Sequence, residues 1–155
     1  MSKTNAVRIL DSHNINYTLQ TYEVDENDLC GTTVALKIGA EADSVFKTLV
    51  AEGDKTGPLV FCVPTTEELN LKKAALVSGN KKVELIKVKD LLMLTGYVRG
   101  GCSPIGMKKK FPTFIDETAQ LFNEIYVSAG MRGMQVKVSP TDLAPLIEAP
   151  FSDLI

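Results

Sequence analysis

Glu124-Ile125-Tyr126-Val127-Ser128-Ala129-Gly130-Met131-Arg132-Gly133-Met134-Gln135-Val136-Lys137-Val138 decides between two architectures for this chain. Glu124 to Ser128 and Met134 to Val138 read as the two arms of a hairpin across the glycine-bearing turn between them. Upstream, short strands alternate with short helices, an order compatible with a doubly wound parallel sheet. A late hairpin argues against that fold. The reading is α+β: one domain over residues 1–155, with a curved, mixed, barrel-like sheet and short helices around it.

The remaining elements fall on either side. Thr4 caps a helix carrying Ala6, Val7, Ile9 and Leu10 that ends near Asn14. Tyr17 to Val24 alternates weakly, as a strand does. Thr33 to Ile38 fits a helix stopped by Gly39. Ser44 to Ala51 reads as a strand with Val45, Lys47 and Leu49 on one face and Phe46, Thr48 and Val50 on the other. Leu59-Val60-Phe61-Cys62-Val63 is nearly continuous apolar sequence and predicts a central strand. Asn70 caps a helix over Leu71 to Val77, Lys82 to Leu85 is a short strand, and Val88 to Leu94 is a helix stopped by Gly96. Thr113 to Asp116 is a further strand, and Ser139-Pro140 opens a last helix.

Composition narrows the function. Hydrophobic residues at 45% and charged residues at 23% are ordinary for a globular protein. A net charge of −2 disfavours a broad electrostatic nucleic-acid surface while leaving room for a local basic patch. No apolar run reaches the roughly 18–20 residues of a membrane span. The start lacks a secretory pattern, so a cytoplasmic protein is expected. Cys30, Cys62 and Cys102 are too scattered for a disulfide framework, and with a single histidine no metal-ligand spacing is visible. His13, in the polar end of the first helix, reads as a solvated residue. No cofactor is implied.

One loop stands out against this poor catalytic inventory. Gly100-Gly101-Cys102-Ser103-Pro104-Ile105-Gly106 is either a structural turn or a cradle whose N–H groups meet an anion or oxyanion. Cys102 within it is either a nucleophile or a small buried hydrophobe. Lys47 either guards an edge strand or points into a wet cavity; Thr48 faces the other way in an ideal strand. Ser128 either donates a hydroxyl into a site or caps the turn that follows. Lys108, Lys109 and Lys110 directly follow the loop and, with Arg132, are candidates for phosphate contacts.

Five segments together carry a resemblance: Val45-Phe46-Lys47-Thr48-Leu49, Leu69-Asn70-Leu71-Lys72-Lys73, Gly96 to Gly106, Ile115-Asp116 and Ile125 to Gly133. Their order resembles the YbaK/EbsC family, bacterial Cys-tRNA(Pro)/Cys-tRNA(Cys) deacylases related to the editing domain inserted in prolyl-tRNA synthetase. The resemblance implies a free-standing hydrolase that cleaves mischarged aminoacyl-tRNA, an activity needed where a synthetase pocket cannot exclude a similar amino acid. It places Lys47 at the substrate's polar end and the N–H groups of Gly100 and Gly101 at the carbonyl oxygen. Tyr22, Thr48, Ser103 and Ser128 would bind substrate. It also implies attack by the substrate's own thiol, so the enzyme needs no nucleophile. Prolyl-tRNA synthetase is the implied transient partner, and nothing demands more than a monomer. Two alternatives are preference for another ester, such as Ala-tRNA(Pro), and a non-catalytic tRNA- or synthetase-binding module. Two departures bear on the pocket: Gln135 stands where relatives carry an aspartate, and Cys30 where they often carry a phenylalanine.

Overall fold

The computed structural model describes residues 3–155. Chain order is α1 (Asn5–Ser12), β1 (Tyr17–Thr21), α2 (Gly31–Ile38), β2 (Phe46–Gly53), β3 (Gly57–Pro64), α3 (Leu71–Ser78), β4 (Val83–Leu85), α4 (Val88–Thr95), β5 (Thr113–Asp116), β6 (Ile125–Ser128), β7 (Met134–Val138), α5 (Pro140–Leu146) and β8 (Phe151–Ser152). Helix limits follow local chemistry. The Thr4 hydroxyl accepts the Val7 N–H at the start of α1, and the Asn70 side chain accepts from the Lys72 and Lys73 N–H groups at the start of α3. Left-handed glycines end α2, α3 and α4 at Gly39, Gly79 and Gly96.

The strands are α+β as expected, but they divide into two hydrogen-bonded sheets. One is antiparallel, in the order β1-β7-β6. The other is mixed, in the order β4-β2-β3-β5-β8, with β3 paired antiparallel to β2 and parallel to β5. A parallel bridge between Val45 and Tyr126 joins the two. The apolar run of β3 lies mid-sheet, and its alternation sorts side chains to opposite cores. Phe61 and Val63 pack with Ala51, Ala74 and Leu154, whereas Cys62 packs with Phe46, Ile115, Val127 and Leu10. Fully burying a side chain such as Phe61 stabilises by about 1.5–3 kcal/mol.

Candidate active site

A cleft of about 430 Å³ lies against one edge of β2. Along its other edge β2 pairs with β3 from Phe46 to Gly53, but on the cleft side it meets β6 only near Val45 and β4 only from Ala51 to Gly53. Val45 accepts the Thr65 N–H at 2.8 Å, and hydrogen-bonded pairs alternate in an antiparallel ladder, so the even-numbered residues turn their main chain toward the cleft. Val50 obeys this parity, its carbonyl accepting the Ile86 N–H at 3.1 Å. Thr48 lies in the window between, where no described strand pairs with it on the cleft side.

This window explains how Lys47 and Thr48 share one site. An undistorted strand sends them to opposite faces, yet both line a cleft that wraps the strand's edge. Lys47 is half-buried, and its ammonium makes no hydrogen bond or ion pair among the described residues. Tyr22, Gly100 and Ser128 join them in the wall. Tyr22 is tied to the hairpin turn by its N–H, which donates to the Gly133 carbonyl at 3.0 Å. Ser128 caps the turn that follows it and also lines the cleft. Its oxygen accepts the Gly130 N–H at 3.2 Å, while its own proton has no acceptor among the described residues.

The glycine loop divides. Gly101 donates its N–H to the Val98 carbonyl at 2.9 Å, closing a turn in which Gly100 has φ +83°. That conformation suits glycine at the third position of a type II turn. The N–H expected from Gly101 is therefore engaged, whereas those of Gly100 and Cys102 meet no acceptor among the described residues. Ser103 does not reach the cleft: it is fully buried, and its hydroxyl oxygen accepts the Ile105 N–H at 3.2 Å. Tyr97 fastens the same end, its phenol donating to the Ile105 carbonyl at 2.5 Å.

The other expected contacts lie elsewhere. Lys109 and Lys110 border a separate hollow with Ile9, Pro104 and Leu146, and Lys110 pairs with Glu148. Arg132 donates from Nε to the Arg99 carbonyl at 2.8 Å and is not among the lining residues. Asp116 is fully buried; its carboxylate accepts the Leu154 and Thr118 N–H groups, so it braces the chain end. His13 stays exposed at the end of α1.

The cleft's chemistry is cationic and otherwise neutral. Lys47 and Arg99 are its charged lining residues, and no carboxylate lines it. Burial pushes the Cys102 thiol up to about 12, which keeps it protonated at neutral pH. Cys30, exposed at the start of α2, is shifted down instead, chiefly by its hydrogen bond with the Thr32 hydroxyl at 3.0 Å. Gln135 is buried in the wall, and its Oε1 has no partner among the described residues. The sequence reading missed one wall entirely: Leu85, Ile86, Val88 and Leu91. The available signal was α4 itself, whose apolar residues Val88, Leu91, Leu92 and Met93 spread beyond one core-facing stripe and leave Val88, Leu92 and Met93 exposed.

The family model for the aminoacyl-tRNA editing domain matches residues 31–146. The chain belongs to that family. Members include a relative 48% identical over 152 residues, covering 98% of this chain and 93% of its own length. It is EbsC of Enterococcus faecalis, provisionally named a Cys-tRNA(Pro)/Cys-tRNA(Cys) deacylase. A solved structure provisionally described as a trans-editing enzyme for prolyl tRNA synthetase superposes with a TM-score of 0.82 at 24% identity, covering 99% of this chain and 98% of that one. Another, described as a hypothetical protein, gives 0.88 at 18% identity, covering 97% and 99%. These two likenesses establish the editing-domain fold. The family match also accounts for the five sequence segments, although Tyr22 precedes the matched region.

Proposed function

We propose that this protein is a trans-editing deacylase that hydrolyses the ester of cysteine mischarged on tRNA(Pro). One observation carries the reading: in an editing-domain chain, the cleft joins a free lysine, a free backbone N–H and a free hydroxyl, with no carboxylate or imidazole among its described lining residues to act as a base, and with the Cys102 thiol held protonated. That set binds and polarises an ester but does not attack it. The substrate's thiol attacks its own carbonyl. A C–S bond forms, the ester C–O bond breaks, and the thiol proton passes to the departing 3′ oxygen. Water then opens the cyclic thioester and restores free cysteine. Gly100 N–H, with Cys102 N–H as a second donor, supports the developing oxyanion. Lys47 holds the polar end of the acceptor adenosine, while Tyr22, Thr48 and Ser128 shape the pocket. Lys108, Lys109 and Lys110, away from the cleft, serve the phosphates of the acceptor stem, and transient association with prolyl-tRNA synthetase supplies tRNA selection.

Gln135 favours a second reading. Its neutral amide replaces a charged partner for the substrate amine, which relaxes selection toward another ester such as Ala-tRNA(Pro). Incubation with Cys-, Ala- and Pro-tRNA(Pro) separates the two. Release of cysteine alone is expected. Equal release of alanine would overturn the thiol-assisted mechanism, and no release under single-turnover conditions would leave only a binding module.

A further inference from the structure

The turn over Val98–Gly101 has a weakness that its own residues do not cure. Its central peptide, between Arg99 and Gly100, changes direction by 180° when a type II turn converts to type I. The conversion takes Gly100 from φ +83° to a negative value, and glycine tolerates both. Nothing local therefore fixes which way the Gly100 N–H points.

The fixing contact comes from the hairpin turn. Arg132 Nε donates to the Arg99 carbonyl at 2.8 Å, across a separation of 33 residues. The peptide is planar and trans, so a carbonyl directed at Arg132 directs the Gly100 N–H the opposite way. Gly100 lines the cleft and Arg132 does not. The two turns also sit flush: a Cβ on Gly101 would come within 3.0 Å of the Arg132 nitrogen and 3.1 Å of Met131 backbone atoms. The outer end of the guanidinium faces Glu26, 3.8 Å from Nη1 to Oε1.

We propose that Arg132 is a positioning residue that holds the Arg99–Gly100 peptide with its N–H directed into the cleft, and is not a phosphate contact. The hydrogen bond is charge-assisted, so it also polarises the peptide and strengthens the N–H as a donor. The role rests on the deacylase reading given above.

A substrate without phosphates separates the two roles. Arg132→Ala is expected to lower kcat by about 100-fold on both Cys-tRNA(Pro) and the cysteinyl ester of adenosine, with KM within about twofold, as for loss of an oxyanion donor. Arg132→Gln, whose amide can still donate to the carbonyl, should recover about tenfold of that loss. Added guanidinium ion at millimolar concentration should partly restore the alanine variant. The Gly100 amide resonance should shift in Arg132→Ala while the rest of the spectrum stays that of the folded protein. Undiminished kcat on the adenosine ester, or a salt-dependent rise in KM confined to tRNA, would overturn the proposal. If the unmodified protein cleaves neither ester, the deacylase reading falls and this role with it. If it cleaves both and the variants match it, this role alone falls.

Discussion

On its cleft side the glycine loop presents Gly100 and Cys102, whose N–H groups no described residue accepts. On its back it carries Ser103 and Ile105, both buried, with Ser103 and Tyr97 satisfying the main chain of Ile105. Both sides come from seven consecutive residues of similar composition. The difference lies in hydrogen-bonding capacity left unused, which marks the working side more sharply than residue type does. Ser128 and Lys47 share that property. Ser103 has the same bond as Ser128 but is sealed beneath the loop, out of the cleft.

Substitutions can break this contrast. The largest effect is expected for Lys47→Ala: deacylation should fall by about 1,000-fold, with a thermal midpoint close to that of the unmodified protein because the ammonium makes no hydrogen bond or ion pair among the described residues. Retained activity would mean that the cleft side is not where the ester binds. Gly100→Ala is next. A side chain at φ +83° is strained by about 1–2 kcal/mol, and its Cβ would stand 3.2 Å from Leu29 Cδ1. Steady-state assays should show kcat reduced by about tenfold or more as the turn shifts. Ser103→Ala tests the back of the loop. It leaves the buried Ile105 N–H without its partner and should cost about 1–3 kcal/mol in urea denaturation, with kcat per folded molecule unchanged. A kcat loss without a stability loss would return Ser103 to the site.

The smallest effect is expected for Cys102→Ala. With its thiol raised to about 12, Cys102 remains S–H through the neutral range, so the pH–rate profiles of variant and parent should coincide. Iodoacetamide should label Cys30 first, since its thiol is exposed and shifted in the opposite direction. Fast labelling of Cys102 would contradict the burial that keeps its thiol protonated.

Much of the fold was legible because its punctuation is local. Thr4 and Asn70 announce helix starts, Gly39, Gly79 and Gly96 announce ends, and the apolar run of β3 announces its central place. The division into two sheets was not legible, since it depends on which strands stop short of β2. For the same reason the sequence placed Lys47 and Thr48 on opposite faces without showing the open edge that reunites them. Gly101 and Arg132 make contacts of two kinds that the sequence does not show. The Gly101 bond to Val98 requires knowing the turn type, and the Arg132 bond to Arg99 crosses from one sheet's loop to the other's. Ser103 and Ser128 each accept the N–H two residues on, so sequence does not separate them; burial does, with Ser103 sealed and Ser128 lining the cleft.

The meeting of the two sheets has a thermal consequence. Lys47 belongs to the five-stranded sheet, whereas Ser128 and the turn that orients Gly100 belong to the three-stranded one. Their geometry exists only while the two sheets stay packed on their shared core and joined at the Val45–Tyr126 bridge. Partial undocking leaves each ladder intact but separates the groups that share the cleft. Hydrolysis should therefore fade on warming before the far-ultraviolet signal of the strands does, making catalytic activity the more sensitive gauge of that seam.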